Sequence, residues 1–584
     1  MIKDMIELKG VPISHGIAIG KAYLIEPVLF DFSISHIEPP KVKEEIEVLN
    51  KAVEKTLSDL EEIYSYSKLS ELRMFFENML ANDGMLNRIR YSISNEKLSA
   101  KSAIFKEGIS VENILKEARI NSDKINDILG IFHLLTKNID FVKGEIKSEK
   151  ISVKDDIQDY ILVGVEIDPT QFLEILGKRN IKGIILEKGG SASHVAIIAH
   201  QENIPSVFSV KGLMNNINED DIVIVDSSKG DVIINPTKEV FSHYRAEKIK
   251  IEGYKEQLVE VLKKPTCTID GERCNLMLNI SDPHEVSNLI SQHYDGIGLF
   301  RTEIPFINQK RFLTEDEQYE MYTTVAEKFA GKPVVIRLLD LGGDKVFGKL
   351  VHEDKPALGW RSIRVLFSHE DELLKQLRAI IRSNKYGNVK ILIPMVSSLE
   401  EINKIKKYYK IAVEDLKSKG ISINDDIEIG IMVEVPSVAI MINDFINYVD
   451  FISIGTNDLT QYILAVDRNN EIIAEYYEPF NPAVLKVVYH CINVAKKHKK
   501  MVSVCGEIAG DPRYTRLFLA MGLRVFSMAK ESISSVKNII INTHTHELKD
   551  ILNKVKKALT PSEVKRIMEE DYYTFSSRQD IPTY

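Results

Sequence analysis

Apolar residues recur along this chain with three different rhythms, and each predicts a different kind of structure. Residues 16–25 (GIAIGKAYLI) read as a strand. From about Lys41 the spacing lengthens: Ile46, Leu49, Val53, Leu57, Leu60 and Tyr64 return every three or four positions with Lys and Glu between them, which predicts an amphipathic helix. Helical texture persists to about residue 144, with breaks at Asn82–Gly84 and around Ser94–Asn95, so 26–144 reads as a helical bundle. From about 158 the period shortens. YILVGVEI (160–167), IKGIILEKG (181–189), PSVFSV (205–210), DIVIVD (221–226) and DVIINP (231–236) are β-rich segments between turn residues. The opening strand has no sheet of its own. We therefore expect 1–25 to join 145–235 in one α/β domain, with the bundle inserted between them. Residues 236–264 carry many charges and sparse apolar positions, which suits a solvated connecting helix.

The third rhythm fills 265–575. Short, continuously apolar segments occur at CNLMLNI (274–280), GIGLF (296–300), VVIRLLD (334–340), VKILIPMV (389–396), IEIGIMVE (427–434), FISIG (451–455), MVSVCGE (501–507) and RVFSM (524–528), with helix-like stretches between most of them. Strands of this character belong to parallel sheets covered by helices, and the repeated β-then-α order predicts a (β/α)8 TIM barrel. The fold class is thus multidomain α/β.

Composition narrows the function. The chain has 584 residues, 44% hydrophobic and 28% charged, with a formal charge of -9 and charge signs interspersed. Such a surface offers no basic patch for nucleic acid. The N-terminal segment MIKDMIELKGVPISHG lacks the apolar run of a signal peptide, and no stretch is apolar enough for a membrane span, so a cytoplasmic location is expected. The cysteines Cys267, Cys274, Cys491 and Cys505 form no C-x-x-C pair, which argues against a disulfide framework and against a structural zinc site.

In a barrel of this kind chemistry sits at the C-terminal ends of the strands. There the sequence places Arg301, Thr302 and Glu303, then Arg337 and Asp340 running into Gly342-Gly343-Asp344-Lys345. Next come Glu434, the run Gly455-Thr456-Asn457-Asp458, and Cys505-Gly506-Glu507, with Arg361 and Arg468 in following segments. Any single pair could be a structural salt bridge. Jointly, arginines converging with two carboxylates suit a substrate bearing phosphate and carboxylate groups together with a divalent metal: Arg recognises oxyanions bidentately, and Glu and Asp are hard oxygen ligands for Mg²⁺. Cys505 is either a buried small apolar side chain or a proton donor at the barrel mouth. A second candidate is Lys188-Gly189-Gly190-Ser191-Ala192-Ser193-His194 before an apolar helix, where Ser193 can cap and His194 meets the anion-favouring helix N-terminus.

These motifs resemble enzyme I of the bacterial phosphoenolpyruvate:sugar phosphotransferase system over essentially the whole chain. The resemblance rests on Gly189–His194 and on GLFRTE (298–303), IRLLDLGGDK (336–345), LGWRSIR (358–364), MVEVP (432–436), SIGTNDLTQY (453–462), AVDR (465–468) and CGEIAGD (505–511). It implies that His194 accepts the phosphoryl group of phosphoenolpyruvate and passes it to the carrier protein HPr, docked on the helical insertion. It further implies that Arg301, Arg337, Arg361, Asn457 and Arg468 bind phosphoenolpyruvate, that Glu434 and Asp458 hold Mg²⁺, that Cys505 protonates the enolpyruvate, and that the barrel dimerises. The linker would then be the hinge element for a moving His194.

Some positions depart from the family pattern. Ala192 stands where a threonine is usual, His200 where an arginine is usual, and RINSDKINDI (119–128), with Asn126 near an expected arginine, replaces the usual docking segment. Arg524 and Ala529 also differ. These changes leave open a regulatory or weakly active paralogue that binds phosphoenolpyruvate or partners without a full relay. A dikinase or synthase of the same superfamily is disfavoured, because no glycine-rich ATP-binding segment precedes residue 145.

Overall fold

The computed structural model describes residues 5–25, 34–63, 76–77, 79–80, 83–118, 122–144, 158–190, 193–287, 289–309, 311–342, 358–468, 473–579 and 581. The chain forms two compact units, Met1–Glu252 and Gly253–Thr583, divided inside the helix Lys238–Lys263.

In the first unit the strands are β1 (Ile6–Lys9), β2 (Val11–Ser14), β3 (Ile17–Leu24), β4 (Tyr160–Gly164), β5 (Ile181–Leu186), β6 (Ser206–Phe208), β7 (Ile222–Asp226) and β8 (Asp231–Ile234). They make one sheet in the order β1-β8-β7-β3-β4-β5-β6-β2. β3 runs parallel to β4 and antiparallel to β7, so strands from both sides of the helical segment share the sheet. β1 and β2 were not anticipated. They are short, have exposed positions, and edge the sheet antiparallel to β8 and β6.

The helical segment contributes Val42–Ile63, Asp83–Asn95, Ala100–Glu117 and Ser122–Val142. In the first helix the inward stripe is Glu45, Leu49, Ala52, Thr56 and Leu60, while Leu57 is exposed. The face is rotated by about one residue from the apolar periodicity because the buried polar groups find partners. Glu45 accepts from Lys143 at 2.7 Å and from the Ala100 N–H at 2.7 Å, and Thr56 donates to the Ala52 carbonyl. Bundle residues such as Leu49, Ile104 and Phe132 lie in one hydrophobic cluster with Leu162, Phe172, Ile184, Val195 and Phe208 of the sheet and its helices.

The second unit contains β9 (Asn275–Ile280), β10 (Ile297–Phe300), β11 (Val334–Arg337), β12 (Val389–Ile393), β13 (Ile429–Val433), β14 (Phe451–Ile454), β15 (Met501–Val504) and β16 (Val525–Met528), all parallel and closed into a barrel. Each falls within an apolar segment read from the sequence. The outward faces pack under the helices in one large core, while Leu299, Val335, Leu392, Met432, Phe451 and Cys505 fill the interior. Arg524, one of the unusual positions, donates to the Leu519 and Leu523 carbonyls at the end of the helix Pro512–Met521 and pairs with Glu272 at 3.3 Å.

The connecting helix is less solvated than its composition suggests. Tyr244 and Ile251 are buried against Ile17, Ile224 and Ile233 in the first unit. Tyr254 and Leu258 are buried against Ile539 and Phe575 in the second, where Lys537 also donates to the Leu262 carbonyl at 2.8 Å.

Candidate functional site

The barrel mouth assembles a ladder of alternating charges. Glu303, first residue of the helix Glu303–Gln309, accepts from Arg337 Nη2 and from the Asp340 N–H, both at 2.9 Å. Arg337 Nη1 lies 3.2 Å from Asp340, and Asp340 takes a bidentate pair from Arg361, Nη2 at 2.8 Å and Nε at 3.2 Å. Arg361 Nη1 then reaches Asp458 at 3.5 Å. Burial opposes ionisation of Asp340, but Arg337 and Arg361 outweigh it and hold its carboxyl below the usual range. The guanidinium groups remain charged, because the flanking carboxylates outweigh the desolvation of Arg337 and Arg361. The Nε of Arg337 has no hydrogen-bond partner, so this buried fork keeps a donor unspent.

Glu434, 1% exposed just after β13, accepts from the Met395 N–H at 2.6 Å. Burial, and then the charges of Asp458 and Asp340, push its carboxyl up to about 8. Gly455 faces it so closely that a Cβ there would stand 3.0 Å from Glu434 Oε2. Two mutually repelling hard-oxygen donors beside a glycine fit a divalent cation, which would relieve the repulsion. Among the described residues no group of three or more His, Cys, Asp and Glu is placed to hold a metal ion.

Asn457 and Glu507 make a reciprocal pair: Asn457 Nδ2 donates to Glu507 Oε1 at 2.9 Å, and the Glu507 N–H donates to Asn457 Oδ1 at 3.0 Å. Gly506 permits this approach, since a Cβ there would lie 1.8 Å from Thr456 Oγ1. Tyr477 links this corner to Arg468: its hydroxyl donates to the Asn457 carbonyl at 3.2 Å and hydrogen-bonds the exposed Arg468. Cys505, 2% exposed at the end of β15, donates to the Ile454 carbonyl at 3.5 Å. Burial pushes its thiol up, and Ser453, Arg301 and Arg337 oppose the shift. Arg301 follows β10, with its N–H on the Ile280 carbonyl at 2.8 Å.

The barrel thus brings together Arg301, Arg337, Arg361, Asn457, Arg468, Glu434, Asp458 and Cys505. Gly343, Asp344 and Lys345 lie outside the described residues. Glu303 and Asp340 were visible at strand ends, but their role as arginine holders was not. Tyr462, whose hydroxyl is 3.5 Å from Arg361 Nη1, and Tyr477 were missed. Their only sequence signal is an aromatic residue inside a polar motif.

His194 belongs to the first unit, as first residue of the helix His194–Gln201. Ser193 is the cap, its Oγ accepting from the Ala196 N–H at 3.2 Å, while its own hydroxyl donates to the Gly190 carbonyl. Gly189 has φ +117°, a conformation open to glycine, and its carbonyl accepts from Ser209. His194 is partly exposed, Val195, Ala196, Ile198 and Ala199 are buried, and His200 is exposed in the last turn. Ser191, Ala192, residues 119–121 and the Asn126 side chain lie outside the described residues.

Three family profiles match: the PEP-utilising enzyme N-terminal domain over residues 9–118, the mobile domain over 157–230 and the PEP-binding domain over 255–545. A phosphoenolpyruvate-protein phosphotransferase of Geobacillus stearothermophilus is 36% identical, covering 90% of this chain and 91% of its own length. That of Bacillus subtilis (strain 168) is 34% identical, covering 97% of this chain and 100% of its own length. An NMR solution structure of an Enzyme I protein covers 42% of this chain and 99% of its own length, at 25% identity and a TM-score of 0.34. With all three domains matched in order and relatives aligned nearly end to end, the chain belongs to the phosphoenolpyruvate-protein phosphotransferase family.

Proposed function

We propose that this enzyme transfers the phosphoryl group of phosphoenolpyruvate to His194 and then to the histidine of HPr, the first step of the sugar phosphotransferase system. The convergence of Arg301, Arg337 and Arg361 with Glu434, Asp458 and Cys505 at the barrel mouth, in a chain of this family, carries the reading. Phosphoryl transfer has a loose transition state with charge spread over the equatorial oxygens, so positioning and electrostatic stabilisation supply most of the catalysis. Arg301, Arg337, Arg361 and Arg468, with Asn457, hold the phosphate and carboxylate of phosphoenolpyruvate. Glu434 and Asp458 would hold Mg²⁺. When bound, the cation supplies charge neutralisation at the phosphoryl and enolate oxygens.

His194 attacks through a neutral ring nitrogen, the form of the imidazole that carries a free electron pair. The buried Cys505 thiol keeps its proton until the basic enolate forms, then delivers it to the methylene carbon to give pyruvate. Because His194 and the arginines belong to different units, the relay requires His194 to reach the barrel mouth and return to HPr on the helical insertion.

The reading divides the chain into a phosphohistidine domain (1–25 with 145–235), the HPr-binding insertion (26–144), the linker helix (236–264) and the phosphoenolpyruvate-binding, dimerising barrel (265–575). The protein acts in the cytoplasm. Among the described residues no helix is long and apolar enough to cross a membrane.

The test is incubation of the purified protein with Mg²⁺ and ³²P-labelled phosphoenolpyruvate. Acid-labile label on the wild type, its loss in His194→Ala, and its passage to added HPr are expected. No label on the wild type overturns the catalytic reading, and label surviving the substitution overturns the choice of His194.

A further inference from the structure

Aliphatic side chains ordinarily fill the layers of a barrel interior, yet here an amide and a hydroxyl sit near the tops of neighbouring strands. Asn279 is the penultimate residue of β9 and Ser527 the penultimate residue of β16. Ser527 Oγ donates to Asn279 Oδ1 at 2.6 Å, which orients the amide. Asn279 Nδ2 then donates to two carbonyls, that of Cys505 at 3.0 Å and that of Ser527 at 3.3 Å.

The first of these bonds is topologically unusual. β16 lies between β9 and β15, so the Asn279 side chain reaches past a whole strand. The β15–β16 ladder ends at Val504 opposite Phe526, and Cys505 lies one residue beyond it. Its carbonyl therefore takes its donor from Asn279 instead of from the neighbouring strand. On the other side the Cys505 N–H donates to the Ile454 carbonyl of β14 at 3.1 Å. The main chain of Cys505 is thus held at both polar groups, by β14 and by Asn279.

We propose that Asn279 is a positioning residue for proton transfer by Cys505: by holding the Cys505 carbonyl it fixes the direction in which the thiol meets the substrate. The proposal rests on Cys505 being the proton donor. In that step the Cys505 S–H bond breaks and its electron pair stays on sulfur. The π pair of the enolate takes the proton to form a methyl C–H bond, and an oxygen electron pair closes the ketone of pyruvate. In reverse, the thiolate removes a proton from the pyruvate methyl group.

The reverse step can be followed without phosphoryl transfer, as deuterium exchange into the pyruvate methyl group in D2O with Mg²⁺, read by proton NMR on the full chain. Asn279→Ala is expected to slow exchange between about tenfold and 10²-fold, the scale of a misplaced reacting group, with the KM for phosphoenolpyruvate within about twofold of wild type. Ser527→Ala removes only the bond that orients the amide, and is expected to slow exchange about two- to tenfold. It decides the matter if Asn279→Ala does not fold. In a Cys505→Ala background Asn279→Ala should add no further loss, because its effect passes through the thiol.

Wild-type exchange in both single variants, or losses that multiply with Cys505→Ala, would overturn the role of Asn279. Wild-type exchange in Cys505→Ala itself overturns the proton-donor reading, and leaves a separate signature from a failure of Asn279 alone.

Discussion

Asp340→Asn separates a charge-built arginine cluster from one held merely by shape. The Asp340 carboxylate, with a side chain 2% exposed, faces Arg361 at 2.8 Å and Arg337 at 3.2 Å. The amide has the same outline and leaves no cavity, but removes the central negative charge. Breaking a buried pair by removing one partner costs about 3–5 kcal/mol, because the remaining charge stays buried. Glu303 and Asp458 still flank Arg337 and Arg361 at 2.9 Å and 3.5 Å, so the lower end applies, about 3 kcal/mol. For the unit Gly253–Thr583, an unfolding entropy of roughly 2.1 cal/mol/K per residue gives roughly 0.7 kcal/mol/K, so the midpoint should fall by about 4 °C.

Scanning calorimetry of the full chain, without metal or phosphoenolpyruvate, measures the shift at neutral pH. The control is Asp425→Asn, which breaks the exposed pair Lys417–Asp425 at 2.7 Å and should cost under about 1 kcal/mol, or about 1.5 °C. Since the folded Asp340 carboxyl is held below its unfolded value, its contribution is present above about pH 4 and is lost as pH falls through the folded pKa. The difference between wild type and variant should therefore shrink at acid pH. Equal shifts in Asp340→Asn and Asp425→Asn, or a difference that grows on acidification, refutes the reasoning.

Three further outcomes follow from the geometry. Gly506→Ala drives a methyl into Thr456 and Asn457, and should lower kcat/KM for phosphoenolpyruvate by at least about 10²-fold in a coupled pyruvate assay; adding Thr456→Ala should restore part of it. Ser193→Ala removes the cap on the His194 helix, at about 1 kcal/mol, and should slow label transfer to the protein severalfold, while Ser193→Thr should not. Chelating divalent cations should abolish label on the protein, and Mg²⁺ should restore it; label formed in excess chelator counts against Glu434 and Asp458 as a metal pair.

The barrel was legible because its strands are buried on both faces and read as unbroken apolar runs, with the chemistry at their ends. The same habit concealed Asn279 and Ser527, polar residues inside segments read as apolar, whose significance depends on which strands become neighbours on closure. β1 and β2 escaped because IELK and VPIS are short and partly exposed, and acquire meaning only against β8 and β6. The first bundle helix was found, but its inward face was set by Glu45 and Thr56, whose partners lie far along the chain. At the candidate site the residue types and strand ends were readable. The ladder Glu303–Arg337–Asp340–Arg361–Asp458 was not, because it runs across loops from different strands.

The cluster that joins Phe132 of the bundle to Phe172 and to Val195 and Ala199 behind His194 has a mechanical consequence. The helices Ser122–Val142, Pro169–Lys178 and His194–Gln201 pack in succession, so the bundle and the His194 helix share one packed interior. A void opened at Phe172, in the middle of that interior, is therefore felt on both sides, by the bundle and by the helix that presents the imidazole.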